Sequence, residues 1–201
     1  MFYYDYNKKP WELNTDLQEE ILNKIANVIK SKTLACIAER CDKSKGDSDY
    51  SYGHTARAWR IKGIKDLSKE ISELKIVEER GLYFEFKVGN TPMKFYSGSK
   101  DSMTDKMKEN TPYEIQLDLK LQDCKNGKIY WRIMVNCAPN THTLLAITFV
   151  GFNENKDFVC VYTPKDTYSG ILYDITSPVK EAVKIPDAQF TRKKKEIKKA
   201  V

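Results

Sequence analysis

Residues 113–136 alternate between apolar and polar side chains, and this pattern restricts the fold of the 201-residue chain more than any other. Apolar residues occupy every second position of residues 115–121 and again of residues 129–135. A period of two is typical of a strand with one buried and one wet face. Asn126 and Gly127 lie between the two halves and tolerate the positive φ angles of a tight turn. The pattern therefore predicts an antiparallel hairpin over residues 113–136.

Similar alternation predicts further strands along the second half of the chain. These strands cover residues 75–79, 82–88, 93–96, 143–152 and 157–163, with a further edge strand at 170–176. Residues 144–150 are almost uninterruptedly apolar, which predicts a central strand with both faces covered. About eight short strands with helices at the N-terminal end favour an α+β fold, a mainly antiparallel sheet or partly open barrel. We expect residues 97–111 to form a long exposed connection.

The first 42 residues carry apolar side chains at helical spacing. They predict two helices separated by a polar break at residues 30–33, and a third helix is predicted over residues 67–74. Leu17, Ile21, Ile25 and Ile29 share one face that must be covered, either by the sheet or by a second copy of the chain. The predicted organisation is an N-terminal helical segment (1–42), a loop or joint (43–55), an α+β core domain (56–179) and a basic C-terminal tail (180–201).

The positive charge of the chain is concentrated in the tail. Residues 180–201 contain eight basic and three acidic residues and so carry +5 of the net charge of +6. The body is therefore close to neutral, and the pI of the whole chain says little about it.

The five cysteines favour neither a disulfide scaffold nor a zinc site, because their number is odd and no C-x-x-C pair occurs. This favours a reducing compartment. The N-terminal residues lack the pattern of a signal peptide, and no apolar run is long enough to span a membrane. The sequence therefore predicts a soluble protein without metal or cofactor, not membrane-associated, located in the cytoplasm or, in a eukaryotic cell, the nucleus.

Aromatic and basic residues are interleaved on the predicted wet faces. On neighbouring strands they would form a stacking platform with a positive rim, which is the combination that binds single-stranded nucleic acid. The basic tail would add phosphate contacts. The predicted contact residues are Tyr83, Lys87, Lys94, Tyr96, Tyr130 and Arg132 on the strands, with Arg192, Lys193, Lys194 and Lys195 in the tail.

A metal-dependent nuclease is the enzymatic alternative. Glu85 with Lys87, and Asp118 with Lys120, each place an acid and a lysine on one face of a predicted strand. Carboxylates in such motifs hold Mg²⁺ while the lysine stabilises developing charge. Any amphipathic strand with alternating charges produces the same spacing, so a solvated sheet face is the simpler interpretation.

Two other arrangements are weaker. A helix-turn-helix with Arg57, Arg60 and Lys62 on its recognition element would need a far shorter link than residues 42–55. Cys137 or Cys160 could pair with His142 as nucleophile and base, but packing and turn roles explain these residues better.

The sequence thus favours a non-enzymatic binding protein for single-stranded nucleic acid or RNA. Alternatives are a protein-interaction module or inhibitor, and the Mg²⁺-dependent nuclease. Self-association through the N-terminal helices is a further expectation about partners.

Overall fold

The structure, a computed structural model, describes residues 8–40, 48–81, 83–120, 128–139 and 141–167. The helices in this part of the chain are α1 (Pro10–Leu13), α2 (Glu19–Arg40), α3 (Asp49–Leu67) and α4 (Pro112–Lys120). The strands are β1 (Leu74–Arg80), β2 (Tyr83–Val88), β3 (Thr91–Ser97), β4 (Tyr130–Cys137), β5 (Leu144–Phe152) and β6 (Phe158–Tyr162).

The six strands form one open sheet in the order β1-β2-β3-β4-β5-β6. All neighbouring strands are antiparallel except β3 and β4, which are parallel. The α+β class and the predominance of antiparallel pairing are therefore confirmed. The described part contains six strands where the sequence predicts about eight, and the edge strand predicted at 170–176 lies outside the described residues. The strand at 144–150 is not central among the six described strands, because β5 lies next to β6, which is the last strand in their order.

The predicted hairpin over residues 113–136 is wrong in its first half. Pro112–Lys120 is the helix α4, and β4 pairs with β3 and β5 instead. Thr111 caps this helix, since its hydroxyl accepts from the Glu114 amide at 3.1 Å while the Glu114 carboxylate accepts from the Thr111 amide at 2.7 Å. Residues that alternate cannot all lie on one face of a helix, and the Ile115 side chain is accordingly 49% exposed. The turn predicted at Asn126 and Gly127 lies outside the described residues.

The helical expectations before the sheet also need correction. α2 is one continuous helix through residues 30–33, where Thr33 is buried and its hydroxyl donates to Ile29 O at 2.7 Å. α3 begins at Asp49, with Ser48 as its cap, so residues 49–55 are helical and not a loop. It ends at Leu67, and the predicted helix over 67–74 is instead a set of turns leading into β1.

The main core lies between the α2 and α3 helices and one face of the sheet. Leu17, just before α2, and the α2 residues Ile21, Ile25 and Ile29 are buried there, in one cluster with sheet residues such as Trp131. Burial of each such side chain contributes roughly 1.5–3 kcal/mol. The chain's own sheet covers this apolar face, so the reason for expecting self-association through it no longer holds.

The connection between β3 and β4 covers part of the opposite face. Two parallel strands cannot be joined by a tight turn, and their connection must cross one face of the sheet. Here it contains two short 3₁₀ turns, Lys100–Ser102 and Asp105–Lys108, followed by α4. None of the helices in the described ranges is long and apolar enough to cross a membrane.

Candidate functional site

The sheet separates between β2 and β3. These strands pair only where Phe86, Lys87 and Val88 face Met93, Pro92 and Thr91. Beyond this point the start of β2 pairs only with β1, and the end of β3 pairs only with β4. A cleft of about 540 Å³ opens where the two strands separate. Its volume lies in the range of about 300–1,000 Å³ that is typical of ligand pockets.

Side chains from four elements line the cleft. Tyr83 comes from β2, Lys94 and Tyr96 from β3, Arg57 from α3, and Lys106 and its neighbours from the β3–β4 connection. Three of the predicted contact residues, Tyr83, Lys94 and Tyr96, are therefore brought together. Strand alternation alone did not predict Arg57 and Lys106, because they lie on a helix and on an irregular segment.

The charged residues that line the cleft are three basic residues, Arg57, Lys94 and Lys106, and one acidic residue, Glu109. The Arg57 guanidinium lies 5.1 Å from the centre of the Phe95 ring and donates to the Phe95 carbonyl at 3.3 Å. The Lys94 ammonium lies 3.8 Å from the centre of the Tyr83 ring. Both charges are partly removed from water, and this burial lowers the pKa of Arg57 and of Lys94.

Burial also affects the phenols of the cleft. It raises the pKa of Tyr83, and the Glu85 carboxylate that Tyr83 contacts raises this pKa further. It raises the pKa of Tyr96 as well. Both side chains therefore stay neutral at physiological pH and present an aromatic ring and a hydroxyl to the cleft.

Glu85 lies behind the cleft and is fully buried. The Tyr83 hydroxyl donates to its Oε2 at 2.9 Å, and the Thr111 hydroxyl donates to its Oε1 at 2.5 Å. Burial raises the pKa of this carboxyl group, although both hydrogen bonds act in the opposite direction. Because both oxygens of Glu85 accept hydrogen bonds from protein hydroxyls, this carboxylate is poorly suited to hold Mg²⁺.

The other members of the nuclease hypothesis do not assemble around Glu85. The Lys87 ammonium lies 3.3 Å from the Tyr113 hydroxyl. Asp118 and Lys120 lie on α4 and not on a strand, and their side chains are outside the described part. Among the described residues, no group of three or more His, Cys, Asp or Glu side chains could hold a metal ion.

Arg132 and Tyr130 were predicted to be on a wet face, but both are buried. The Arg132 guanidinium forms a two-pronged ion pair with Glu114, at 2.6 and 2.9 Å. It also donates to the backbone carbonyls of Met107, Glu109 and Trp131 at 2.8–3.1 Å. Tyr130 packs against Phe152 with 5.8 Å between ring centres. Arg132 thus holds the β3–β4 connection onto the sheet and is not available to a ligand.

The remaining predicted residues lie apart from the cleft or outside the described part. Lys62 is exposed on α3, whereas Arg60 is 3% exposed, so the two cannot form one recognition surface. The tail residues Arg192, Lys193, Lys194 and Lys195 are outside the described residues. Cys160 is buried, and its thiol donates to Lys8 O at 3.2 Å.

A second, smaller pocket of about 270 Å³ lies between α3 and the β4–β5 connection. Cys137 and His142 both line it, together with Tyr52, Arg60 and Ser97. Burial raises the pKa of the Cys137 thiol, which disfavours the thiolate that a nucleophile would require.

Comparison of the chain with protein-family models, curated proteins and solved structures gave no match. Function must therefore be argued from the chemistry of the sites themselves.

Proposed function

We propose that the protein binds single-stranded nucleic acid by accommodating one nucleotide unit in the cleft between β2 and β3. The observation that carries this proposal is the convergence of Arg57, Lys94 and Lys106 with the rings of Tyr83 and Tyr96 around one opening. Cations that meet a phosphate and aromatic rings that meet a base are the two requirements of single-strand recognition.

The geometry favours a division of roles within the cleft. Lys94 covers one face of the Tyr83 ring, so we assign base stacking to Tyr96 and phosphate contacts to Arg57 and Lys106. The Arg57 guanidinium is already held by the Phe95 carbonyl and ring, which reduces the conformational entropy lost on binding.

The proposed contact surface is smaller than the stacking platform that the sequence predicts across several strands. Arg132 and Tyr130 are buried, and Lys87 contacts Tyr113. The folded body therefore contributes about one nucleotide-sized site. We assign additional, sequence-independent phosphate contacts to the basic tail, whose charge of +5 lies within 22 residues.

Two lysines of one 3₁₀ turn provide a matched test. Lys106 lines the cleft, whereas the Lys108 ammonium lies 4.4 Å from the centre of the Phe158 ring and donates to Lys156 O. Lys106→Gln and Lys108→Gln remove the same charge from nearly the same place. In a fluorescence anisotropy titration of a short single-stranded oligonucleotide at several salt concentrations, we expect Lys106→Gln to weaken binding and to flatten the logarithmic salt dependence by about 0.7. Lys108→Gln should leave that slope nearly unchanged.

Stacking is tested separately with Tyr96→Ala and Tyr96→Phe. Loss of the ring should cost roughly 1–3 kcal/mol of binding free energy without changing the salt slope, whereas Tyr96→Phe should bind nearly as well as the native chain. Equal effects of the two lysine variants, or no salt-dependent binding of the native chain at low ionic strength, would refute the proposal. A protein partner would then become the leading hypothesis. Cleavage of the oligonucleotide in Mg²⁺ but not in EDTA would refute the non-enzymatic part.

A further inference from the structure

Arg60 is a buried cation that lines the smaller pocket. Its side chain is 3% exposed, and it extends from α3 between α2 and the end of β3. The pocket opens beside it, bordered by Ser97, Cys137 and His142. Arginine is rarely buried unless its charge is paired.

Among the described residues, Arg60 has few hydrogen-bond acceptors and none of them is a carboxylate. Its Nε donates to the Thr33 hydroxyl at 2.9 Å, and one Nη1 hydrogen reaches the Ser97 hydroxyl at the long distance of 3.5 Å. The sulfur of Cys137 accepts a further hydrogen bond from Arg60. No carboxylate of the described residues forms an ion pair with it.

Arg132 shows what complete pairing of a buried arginine looks like in the same protein. All five of its N–H groups reach acceptors: three backbone carbonyls and both oxygens of Glu114. Arg60 is buried almost as deeply, but in the described part it has two hydroxyl contacts, a hydrogen bond to the Cys137 sulfur and no partner of opposite charge. The described residues therefore leave the Arg60 charge without a counter-ion, and burying an uncompensated charge is costly.

The other groups around the pocket do not supply that anion. Among the described residues, no aspartate or glutamate lines it. Burial raises the pKa of the Cys137 thiol beside Arg60, so this group remains neutral at physiological pH. His142 stacks on the Tyr52 ring with 4.1 Å between centres and adds no negative charge. The lining therefore has a positive potential and offers N–H and O–H donors.

We propose that this pocket binds a compact oxyanion, namely a phosphate or carboxylate group of a small ligand, with Arg60 as its principal donor and the Ser97 hydroxyl beside it. The planar fork of a guanidinium matches two oxygens of either group. A volume of about 270 Å³ admits the anionic group together with a small organic part. This site is independent of the cleft between β2 and β3, called the nucleotide cleft below, since Arg57 and Arg60 lie one helical turn apart on α3 and line different cavities.

Gly53 offers a way to alter the pocket without disturbing Arg60. It lies on α3 at the pocket wall, and a Cβ atom added there would meet no other atom within 4 Å. Gly53→Glu therefore places a carboxylate near the pocket, where it competes with a bound anion. Gly53→Gln adds the same bulk without the charge and is the matched control. Lys106→Gln controls for anion binding at the nucleotide cleft.

The full-length chain should be titrated with inorganic phosphate and, separately, with acetate, at ionic strength held constant with chloride. Amide chemical shifts in NMR spectra report both the affinity and the location of binding. We expect saturable shifts of amides around Gly98, Ala138 and His142, and the tighter of the two anions identifies the ligand class. Arg60→Met and Gly53→Glu should each weaken binding at least about tenfold, whereas Gly53→Gln and Lys106→Gln should change it by less than about twofold.

Absence of saturable binding of both anions to the native chain would overturn this inference. Equal affinities of Gly53→Glu and Gly53→Gln would overturn it as well, because charge at the pocket would then have no effect. Should Arg60→Met fail to fold, the Gly53 pair still decides the question. Loss of anion binding in Lys106→Gln, but not in Gly53→Glu, would assign the anion to the nucleotide cleft and remove the separate site.

Discussion

The substitution Glu114→Gln tests whether the β3–β4 connection is held on the sheet by the Arg132 ion pair. Glutamine has nearly the shape of glutamate, but it removes the charge and directs an amide N–H group toward guanidinium nitrogens that now lie 2.6 and 2.9 Å from the carboxylate oxygens. Arg132 is fully buried, so water cannot replace the lost partner. The substitution thus leaves an uncompensated charge in the interior.

The burial of this ion pair determines the expected decrease in the free energy of unfolding. Removing one member of a buried ion pair costs about 3–5 kcal/mol, against about 0–1 kcal/mol for an exposed pair. Arg132 keeps its hydrogen bonds to the carbonyls of Met107, Glu109 and Trp131, which is why we expect a value near the lower end of that range. A domain stable by about 5–15 kcal/mol would still be folded but clearly weakened.

Urea unfolding followed by circular dichroism measures the change in the free energy of unfolding. Glu109→Gln is the matched control, because it removes the same charge from an exposed side chain of the same connection and should change stability by less than about 0.5 kcal/mol. Hydrogen exchange should accelerate at amides 104–111, a segment that supplies part of the lining of the cleft between β2 and β3. A loss below about 1 kcal/mol for Glu114→Gln would refute the assignment of Arg132 as the anchor of this segment.

Two further predictions concern α3 and the residue behind the cleft. Gly53→Ala should stabilise the protein by about 1 kcal/mol, because the added methyl group meets no neighbour. Gly63→Ala should give no gain, because its Cβ atom would lie 2.7 Å from Val28 Cγ1. Thermal unfolding of the two variants measures the difference in stability. Because burial raises the pKa of Glu85, the folded state holds this proton more tightly than the unfolded state, so stability should fall as the pH rises from about 4.5 through the raised value. Glu85→Gln mimics the protonated form and should flatten this part of the curve of unfolding free energy against pH; an unchanged slope would contradict the assignment.

Part of the candidate site could be predicted from the sequence. The placement of Tyr83, Lys94 and Tyr96 on one face follows from alternation along β2 and β3, which is a local property of an extended chain. Their convergence depends on the point where β2 and β3 stop pairing, and no residue pattern in either strand marks that point. Arg57 joins them only because α3 lies beside the end of β3.

The hairpin error shows that a local pattern can be misleading when a competing signal is overlooked. Residues 115–121 alternate, yet Thr111, Pro112 and Glu114 form a helix start with a capping pair and a proline in the first turn. These three residues predict the beginning of α4 from the sequence alone. Alternation over so few residues does not distinguish a strand from a helix, because a short run can satisfy a period of two and still be helical.

By itself the sequence determined the α+β class, the approximate positions of all six strands of the described sheet and the N-terminal apolar face, because each depends on the period of side chains along a few residues. The tertiary structure alone decided which polar residues are accessible. Arg132 and Arg60 both look like surface cations in the sequence, but the β3–β4 connection covers the first and α2 packs against the second. Burial depends on segments that are distant in the chain, so one arginine became a paired structural anchor and the other the centre of the proposed anion site.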